Sequence, residues 1–331
     1  MNNYAETRIG ILGAGGYTGR ELARLLDRHP RARIAWATSE SDAGKALGDV
    51  IPGVDGPALV RADDADLAGA DCVVSCLPHG DSARWMERAR AAGARAIDLS
   101  ADLRVPDADT PAWARGAVYG LPELHRARIA GAELVANPGC YPTAALVALA
   151  PLIRRGLIAG PVIVNAASGV TGAGRAPRRE LLFAEIAEGF SAYAVGNVHR
   201  HLAEMRAQAA GLADGAAPEL VFTPHLLPVK RGILETIYVT LAEPLDDPRR
   251  LWADDYAGEP FVRVTAEGRM PALADVVGSN RVAVGVAAIQ DVSVPMLTIV
   301  SVIDNLLKGA AGQAVQNLNL MFGWGETEGL A

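Results

Sequence analysis

Cys140 stands in the run Asn137-Pro138-Gly139-Cys140-Tyr141-Pro142-Thr143, where a short apolar segment gives way to a long stretch rich in alanine and leucine. Pro-Gly forces a turn, and Pro142 suits the first turn of a helix, where a backbone N–H has no partner to lose. The thiol is therefore expected at a helix N-terminus. Unpaired N–H groups and the positive end of the macrodipole there favour a thiolate over a thiol of ordinary pKa ~8.5. A thiolate so placed is a nucleophile, although a lone cysteine is also a common buried hydrophobe. The second chemical cluster is Gly196-Asn197-Val198-His199-Arg200-His201-Leu202-Ala203-Glu204. If a helix begins here, His199 and Arg200 fall at its N-terminal end and Glu204 about a turn beyond. An imidazole of ordinary pKa ~6.5 suits proton transfer at neutral pH, and cysteine with histidine is a nucleophile and base combination. Either histidine taken singly reads equally as solvated or structural.

Three further clusters suit anions. Gly13-Ala14-Gly15-Gly16-Tyr17-Thr18-Gly19 follows an apolar strand and opens a helical pattern. It departs from G-x-G-x-x-G, since Thr18 takes the third position, and reads instead as G-x-x-G-x-x-G through Gly13, Gly16 and Gly19. Glycines there permit the tight turn and the close approach of a dinucleotide pyrophosphate to the helix N-terminus. At the end of the second strand candidate, Ser39, Ser41 and Lys45 favour the 2′-phosphate of NADP, whereas Glu40 and Asp42 favour the 2′-hydroxyl of NAD. These residues leave the choice open. Ser168, Gly169 and Arg175 bound a second glycine-rich loop that suits a phosphate or serves as a plain connection. Ser100 and Arg104 lie just past a strand, where ligands of open α/β sheets gather; Arg104 equally suits a surface ion pair.

The elements that must position these groups change character along the chain. Strand patterns at 8–12, 33–37, 71–77 and 95–99 alternate with helical spacing at 21–26 and 82–92, which implies βαβ units and a parallel sheet. Strand patterns at 161–166, 219–223, 232–241, 261–264, 281–289 and 295–303 suit a mostly antiparallel sheet, and helix returns at 304–320. Segment 207–218 reads as the most loop-like interior stretch.

Composition bounds what this arrangement serves. The 331 residues exceed one typical core, so two domains or one large α/β domain are expected. A formal charge of −7 supplies no basic field for nucleic acid or anionic membrane. The 1–8 segment is polar, and no stretch reaches the ~18 uncharged apolar residues of a membrane span. Cys72, Cys76 and Cys140 form neither a disulfide framework nor a zinc spacing, which points to a reducing compartment and to the cytoplasm. A small-molecule ligand is the partner class that remains.

Ala136 to Pro151 resembles the active-site signature of the N-acetyl-gamma-glutamyl-phosphate reductase family. Similar stretches run in the family's order through residues 13–22, 77–80, 98–104, 119–124, 168–175, 199–204, 222–233 and 304–317. The resemblance implies a Rossmann domain (1–139 with 305–331) and an α+β catalytic and oligomerisation domain (140–304), in the architecture of aspartate-semialdehyde and glyceraldehyde-phosphate dehydrogenases. It implies an NADPH-dependent oxidoreductase of arginine biosynthesis, dimeric or tetrameric, that reduces an acyl phosphate through a Cys140 thioester. His199 would act as acid/base with Glu204 in support. Gly13, Gly15, Gly16, Tyr17, Thr18 and Gly19 would hold the cofactor together with Ser39, Ser41, Lys45, Pro78 and Asn305. Substrate and phosphate would meet Ser100, Arg104, Asn137, Ser168, Gly169 and Arg175. Ala203 departs from the family, which usually has proline there, and this bears on the geometry of Glu204.

Two other readings stand beside it. The sister reductase of lysine biosynthesis acts on the longer aminoadipyl substrate and shares the alanine at 203, but usually lacks Asn-Pro before and Tyr-Pro after its Gly-Cys. A nucleotide-binding redox sensor would use Cys140 as an oxidisable thiol. The retained His199, Arg200 and Glu204 weigh against the sensor.

Overall fold

A computed structural model describes residues 6–330 and divides the chain into two compact units, Met1–Gly139 with Ala310–Ala331 and Cys140–Gly309. Most of the polar 1–8 segment lies outside the described residues. The first unit runs β1 (Thr7–Leu12), α1 (Tyr17–Asp27), β2 (Ala32–Ala37), α2 (Leu47–Val50), β3 (Cys72–Ser75), α3 (Ala83–Ala91), β4 (Arg95–Asp98), β5 (Val118–Tyr119), α4 (Pro122–Ile129) and β6 (Leu134–Ala136). Its six strands pair in parallel in the order β2-β1-β3-β4-β6-β5. Ile9, Ile11 and Leu12 are fully buried, as expected of a strand covered on both faces. The C-terminal helix Gly312–Met321 belongs to this unit: Ala314, Val315, Leu318 and Met321 join the core around Ile9, Leu22 and Val74. His29 Nε2 fastens it through Asn319 Oδ1 at 2.9 Å.

The second unit begins with α5 (Cys140–Ile153) and continues through β7 (Val162–Gly169), α6 (Phe183–Ile186), β8 (Ser191–Ala192), α7 (His201–Leu212) and β9 (Leu220–Leu227). Then follow β10 (Ile233–Thr240), α8 (Pro248–Asp255), β11 (Val262–Val264), β12 (Val282–Ala288) and β13 (Met296–Ile303). The sheet order is β11-β12-β13-β10-β7-β9-β8; β11–β12 and β7–β9 are parallel and the other pairings antiparallel. Along β10, Ile233, Ile237 and Val239 are buried while Leu234, Thr236 and Tyr238 stay half-exposed, the alternation of a sheet packed on one face.

Two sequence expectations shift. Segment 207–218 is helical as far as Leu212: Ala207 to Ala210 are alanine-rich, strong helix formers, and Ala209 is buried on the inner face of α7. The chain returns to the first unit later than the 304/305 boundary, because the Asp304 and Asn305 side chains bond to Gly278, Gly232 and Thr171 of the second unit.

Candidate active site

Helix α5 starts at Cys140 and is buried from Tyr141 to Ile153, so the half-buried Cys140 is the accessible tip of a core helix. Pro151 interrupts the helical ladder, since it has no N–H for the carbonyl of Val147. The Tyr256 hydroxyl donates to that carbonyl instead, at 2.6 Å. Trp252 Nε1 donates to Ala148 O at 2.9 Å and the Ser301 hydroxyl to Ala144 O at 2.9 Å. On the other side of the thiol, Gly309 leaves no room for a side chain: a Cβ there would fall 2.7 Å from the Cβ of Cys140.

His199 lies just before α7 in the same unit. Its Nδ1 accepts the backbone N–H of His201 at 3.2 Å, which assigns the proton of the neutral ring to Nε2. Tyr141, Tyr193, Phe222 and His201 surround the ring edge-on, with centroids 4.9–5.8 Å away. Burial, with the Arg200 guanidinium adding to it, lowers its pKa to about 4. Tyr141 follows Cys140 directly and, with Tyr193, packs against the imidazole, so the helix tip that carries the thiol and the loop that carries His199 meet through the two phenols. Glu204 is buried in the first turn of α7, three residues beyond the buried His201 and so on the same helix face. His201 and Tyr193 were the residues missed from the sequence. His201 had a signal in the motif, whereas Tyr193 sits in a loop with none.

Ser168 is buried, donates to Gly169 O at 3.1 Å and hydrogen-bonds Tyr141. A Cβ on Gly169 would meet the Arg231 backbone N at 2.8 Å, so this turn is closed by contact with 231–232. Asn305 is buried here too: its Oδ1 accepts Gly232 N at 2.7 Å and its Nδ2 donates to Thr171 Oγ1 at 3.0 Å. Arg175 is carried on the exposed stretch beyond. Ser168, Gly169 and Asn305 thus gather in one turn, with Ser168 bonded to Tyr141.

In the first unit the glycine turn follows β1 at the point where strand order reverses between β1 and β3. Ligands of open α/β sheets bind outside the strand ends at this point. Gly13 has φ of 80°, and a Cβ on it would meet Cys76 O at 3.0 Å; its N–H donates to Thr38 Oγ1 at 3.0 Å. Gly16 caps α1 with no side-chain cap, which leaves the helix end to a ligand such as a pyrophosphate. Tyr17 and Thr18 open the helix, and Gly19 packs against Gly13 and Ala14. Beyond β2, Asp42 sits among Ser39 (3.2 Å), Ser41 (3.1 Å) and Lys45 (2.7 Å), and Lys45 and Ser41 hold its pKa low. The buried Ser39 hydroxyl and the exposed Lys45 therefore already gather around one negative group, as the 2′-phosphate of NADP requires. The residues fit a dinucleotide.

The exposed Pro78 follows β3, and the next residue, His79, accepts Ala101 N at 2.8 Å, which ties this loop to the one after β4. In that loop Ser100 donates to Asp98 at 2.8 Å, while Arg104 donates from Nε to Asn137 O at 2.8 Å and from Nη2 to Leu99 O at 2.7 Å. Asn137 is fully buried and bonds to Asn317 at 2.9 Å. Ser100, Arg104 and Asn137 thus brace the strand ends. The thiols of Cys72 and Cys76 are each pushed up to about 12 by burial, so neither is a nucleophile at neutral pH. Among the described residues no group of side chains has metal-ligand spacing, and no helix is long and apolar enough to cross a membrane.

Comparison with known proteins agrees with this division of labour. The family model described as "Semialdehyde dehydrogenase, NAD binding domain" matches residues 8–132, and "Semialdehyde dehydrogenase, dimerisation domain" matches residues 140–305. Among solved structures, aspartate semialdehyde dehydrogenase II from Vibrio cholerae superposes with a TM-score of 0.78 at 22% identity, covering 96% of this chain and 99% of that one. Aspartate semialdehyde dehydrogenase with NADP from Candida albicans gives 0.70 at 17%, covering 96% and 99%. Nearer in sequence is the N-acetyl-gamma-glutamyl-phosphate reductase of Magnetococcus marinus, 46% identical over 98% of this chain and 97% of its own. That of Geobacter sp. (strain M21) is 44% identical over the same shares. With a glycine turn at the strand reversal, a helix-tip cysteine and relatives of this identity along nearly its whole length, the chain belongs to the N-acetyl-gamma-glutamyl-phosphate reductase family of semialdehyde dehydrogenase-like oxidoreductases.

Proposed function

We propose that the protein reduces N-acetyl-glutamyl 5-phosphate to N-acetyl-glutamate 5-semialdehyde in arginine biosynthesis, through a thioester on Cys140. The observation that carries the proposal is the clustering of the Cys140 thiol, the tip of a buried helix, with a His199 ring whose Nε2 bears the proton. The Cys140 thiolate attacks the acyl carbon; a C–S bond forms, the C–O bond to phosphate breaks, and phosphate leaves with the electron pair. NADPH, held by the glycine turn and by Ser39, Ser41 and Lys45, supplies a hydride when bound. Addition of hydride to the thioester carbon gives a hemithioacetal oxyanion. The carbonyl then re-forms as the C–S bond breaks, releasing aldehyde and the Cys140 thiolate. His199, neutral because its pKa is low, donates a hydrogen bond from Nε2 to the oxygen that becomes negative in both steps. Gly309 packs directly against Cys140, where a Cβ would fall 2.7 Å from the cysteine Cβ.

Cys140→Ser tests this directly. The folded variant is expected to lose about 10³-fold or more in kcat for NADPH oxidation by the acyl phosphate. A near wild-type rate would end the covalent reading. We further infer that the protein is a homo-oligomer joined through the outer face of the second sheet, where Ile163 and Val221 are each 41% exposed. We place the reaction in the cytoplasm, where glutathione keeps a catalytic thiol reduced.

A further inference from the structure

The loop 193–199 has an unusual backbone. Ala194, Gly196 and Asn197 have φ of 45°, 85° and 64°, so within four residues the chain enters the left-handed region three times, twice without glycine. It is pinned at each end. Tyr193 N donates to Pro224 O at 3.0 Å, and Asn197 bonds to both Leu220 O (3.0 Å) and Phe222 N (2.8 Å) on β9. Val195 and Val198 point to solvent, 60% and 73% exposed, so the apolar side chains of the loop do not explain its shape. What the strained turn brings against Tyr141 and His199 is the Tyr193 phenol, which stays 38% exposed. Its hydroxyl lies 2.9 Å from that of Tyr141, and its ring stands edge-on to His199 at 5.8 Å.

We propose that Tyr193 is a positioning residue for the reaction: its hydroxyl bond to Tyr141 fastens the loop that carries His199 to the helix that begins at Cys140. Tyr141 is the right anchor, being buried, next to the nucleophile and held by Ser168 as well. The His199 ring itself meets Tyr141 edge-on, a contact that fixes orientation less sharply than a hydrogen bond. The oxyanion donor and the thiol are thereby held at one separation before substrate arrives, so no reorganisation is needed as charge develops.

The proposal rests on the acyl-phosphate reading above. The experiment compares wild type, Tyr193→Phe, Tyr141→Phe and the double variant as full-length protein, measuring kcat and KM for the acyl phosphate together with the thermal midpoint. Each single variant is expected to lower kcat about tenfold, the worth of one hydrogen bond, with KM within about twofold and the midpoint close to wild type. The double variant should lose no more than either single one, because the two hydroxyls make a single bond. Wild-type kcat in Tyr193→Phe, a change confined to KM, or losses that multiply in the double variant would each overturn the proposal. If Tyr141→Phe does not fold, Tyr193→Phe decides alone by the same kcat and KM criteria. A wild-type protein inactive on the acyl phosphate would instead sink the functional reading, leaving the two failures distinct.

Discussion

His199 shows how a residue's type and its surroundings can point to different jobs. The type suggests an imidazole that titrates near 6.5 and shuttles protons at neutral pH. The surroundings, rings on several sides and Arg200 behind, lower its pKa to about 4. The sign follows directly: the neutral ring persists as pH falls through 6.5 and is lost only near 4. We expect kcat/KM measured between pH 5 and 8 to show no step near 6.5 that depends on His199. A step there that vanishes in His199→Gln would contradict the role of a neutral donor. The motif around His199 was visible in the sequence, but its protonation state was not, because that depends on Tyr141 and Phe222 arriving from two other segments and on the loop folding Tyr193 back onto the ring. Ser100 and Arg104 carry the complementary lesson. Their types suit an anion, and hydrogen bonds to Asp98, Leu99 and Asn137, which no single segment announces, hold them at the strand ends.

Helix α5 is the element on which the site depends, and its beginning was legible from Pro-Gly-Cys-Tyr-Pro alone. The alanine-rich run that follows reads as helix too; what the sequence does not show is how the helix carries Pro151, where Tyr256, just past α8, supplies its hydroxyl to the orphaned Val147 carbonyl. Tyr256→Phe leaves that buried acceptor without a donor and is expected to cost about 1–3 kcal/mol of stability. The check is a urea midpoint, with activity of the folded fraction unchanged. Loss of activity without loss of stability would mean that α8 acts on the site itself. The same distance effect explains the glycine turn. Its residues announced a dinucleotide, whereas the contacts of Gly13 with Cys76 and Thr38 depend on a strand order that no single segment encodes.

At the scale of the whole molecule, each unit carries one half of the chemistry: the first has the dinucleotide turn and the second the thiol and the imidazole. The alternating strand and helix pattern made the first unit readable, while the parallel pairings of β7 with β9 and of β11 with β12 inside a mostly antiparallel sheet had no sequence signal. The half-exposed outer face of that second sheet yields the prediction for assembly. Wild type should scatter light as an oligomer, and Ile163→Glu with Val221→Glu should raise its dissociation constant at least about tenfold, since each change places an unpaired charge in an apolar contact. A monomeric wild type would remove that face as an interface. Of the three cysteines, Cys140 and Cys76 are half-buried and Cys72 is buried, while burial raises the pKa of both Cys72 and Cys76 and leaves Cys140 as the helix-tip thiol. A chromophoric disulfide reagent should therefore give a burst of one equivalent per chain, which counts competent centres in a preparation. The slow reaction of Cys72, buried in β3, should then time the opening of the parallel sheet, so that a single titration gauges both the purity of the site and the lifetime of the fold around its cofactor turn.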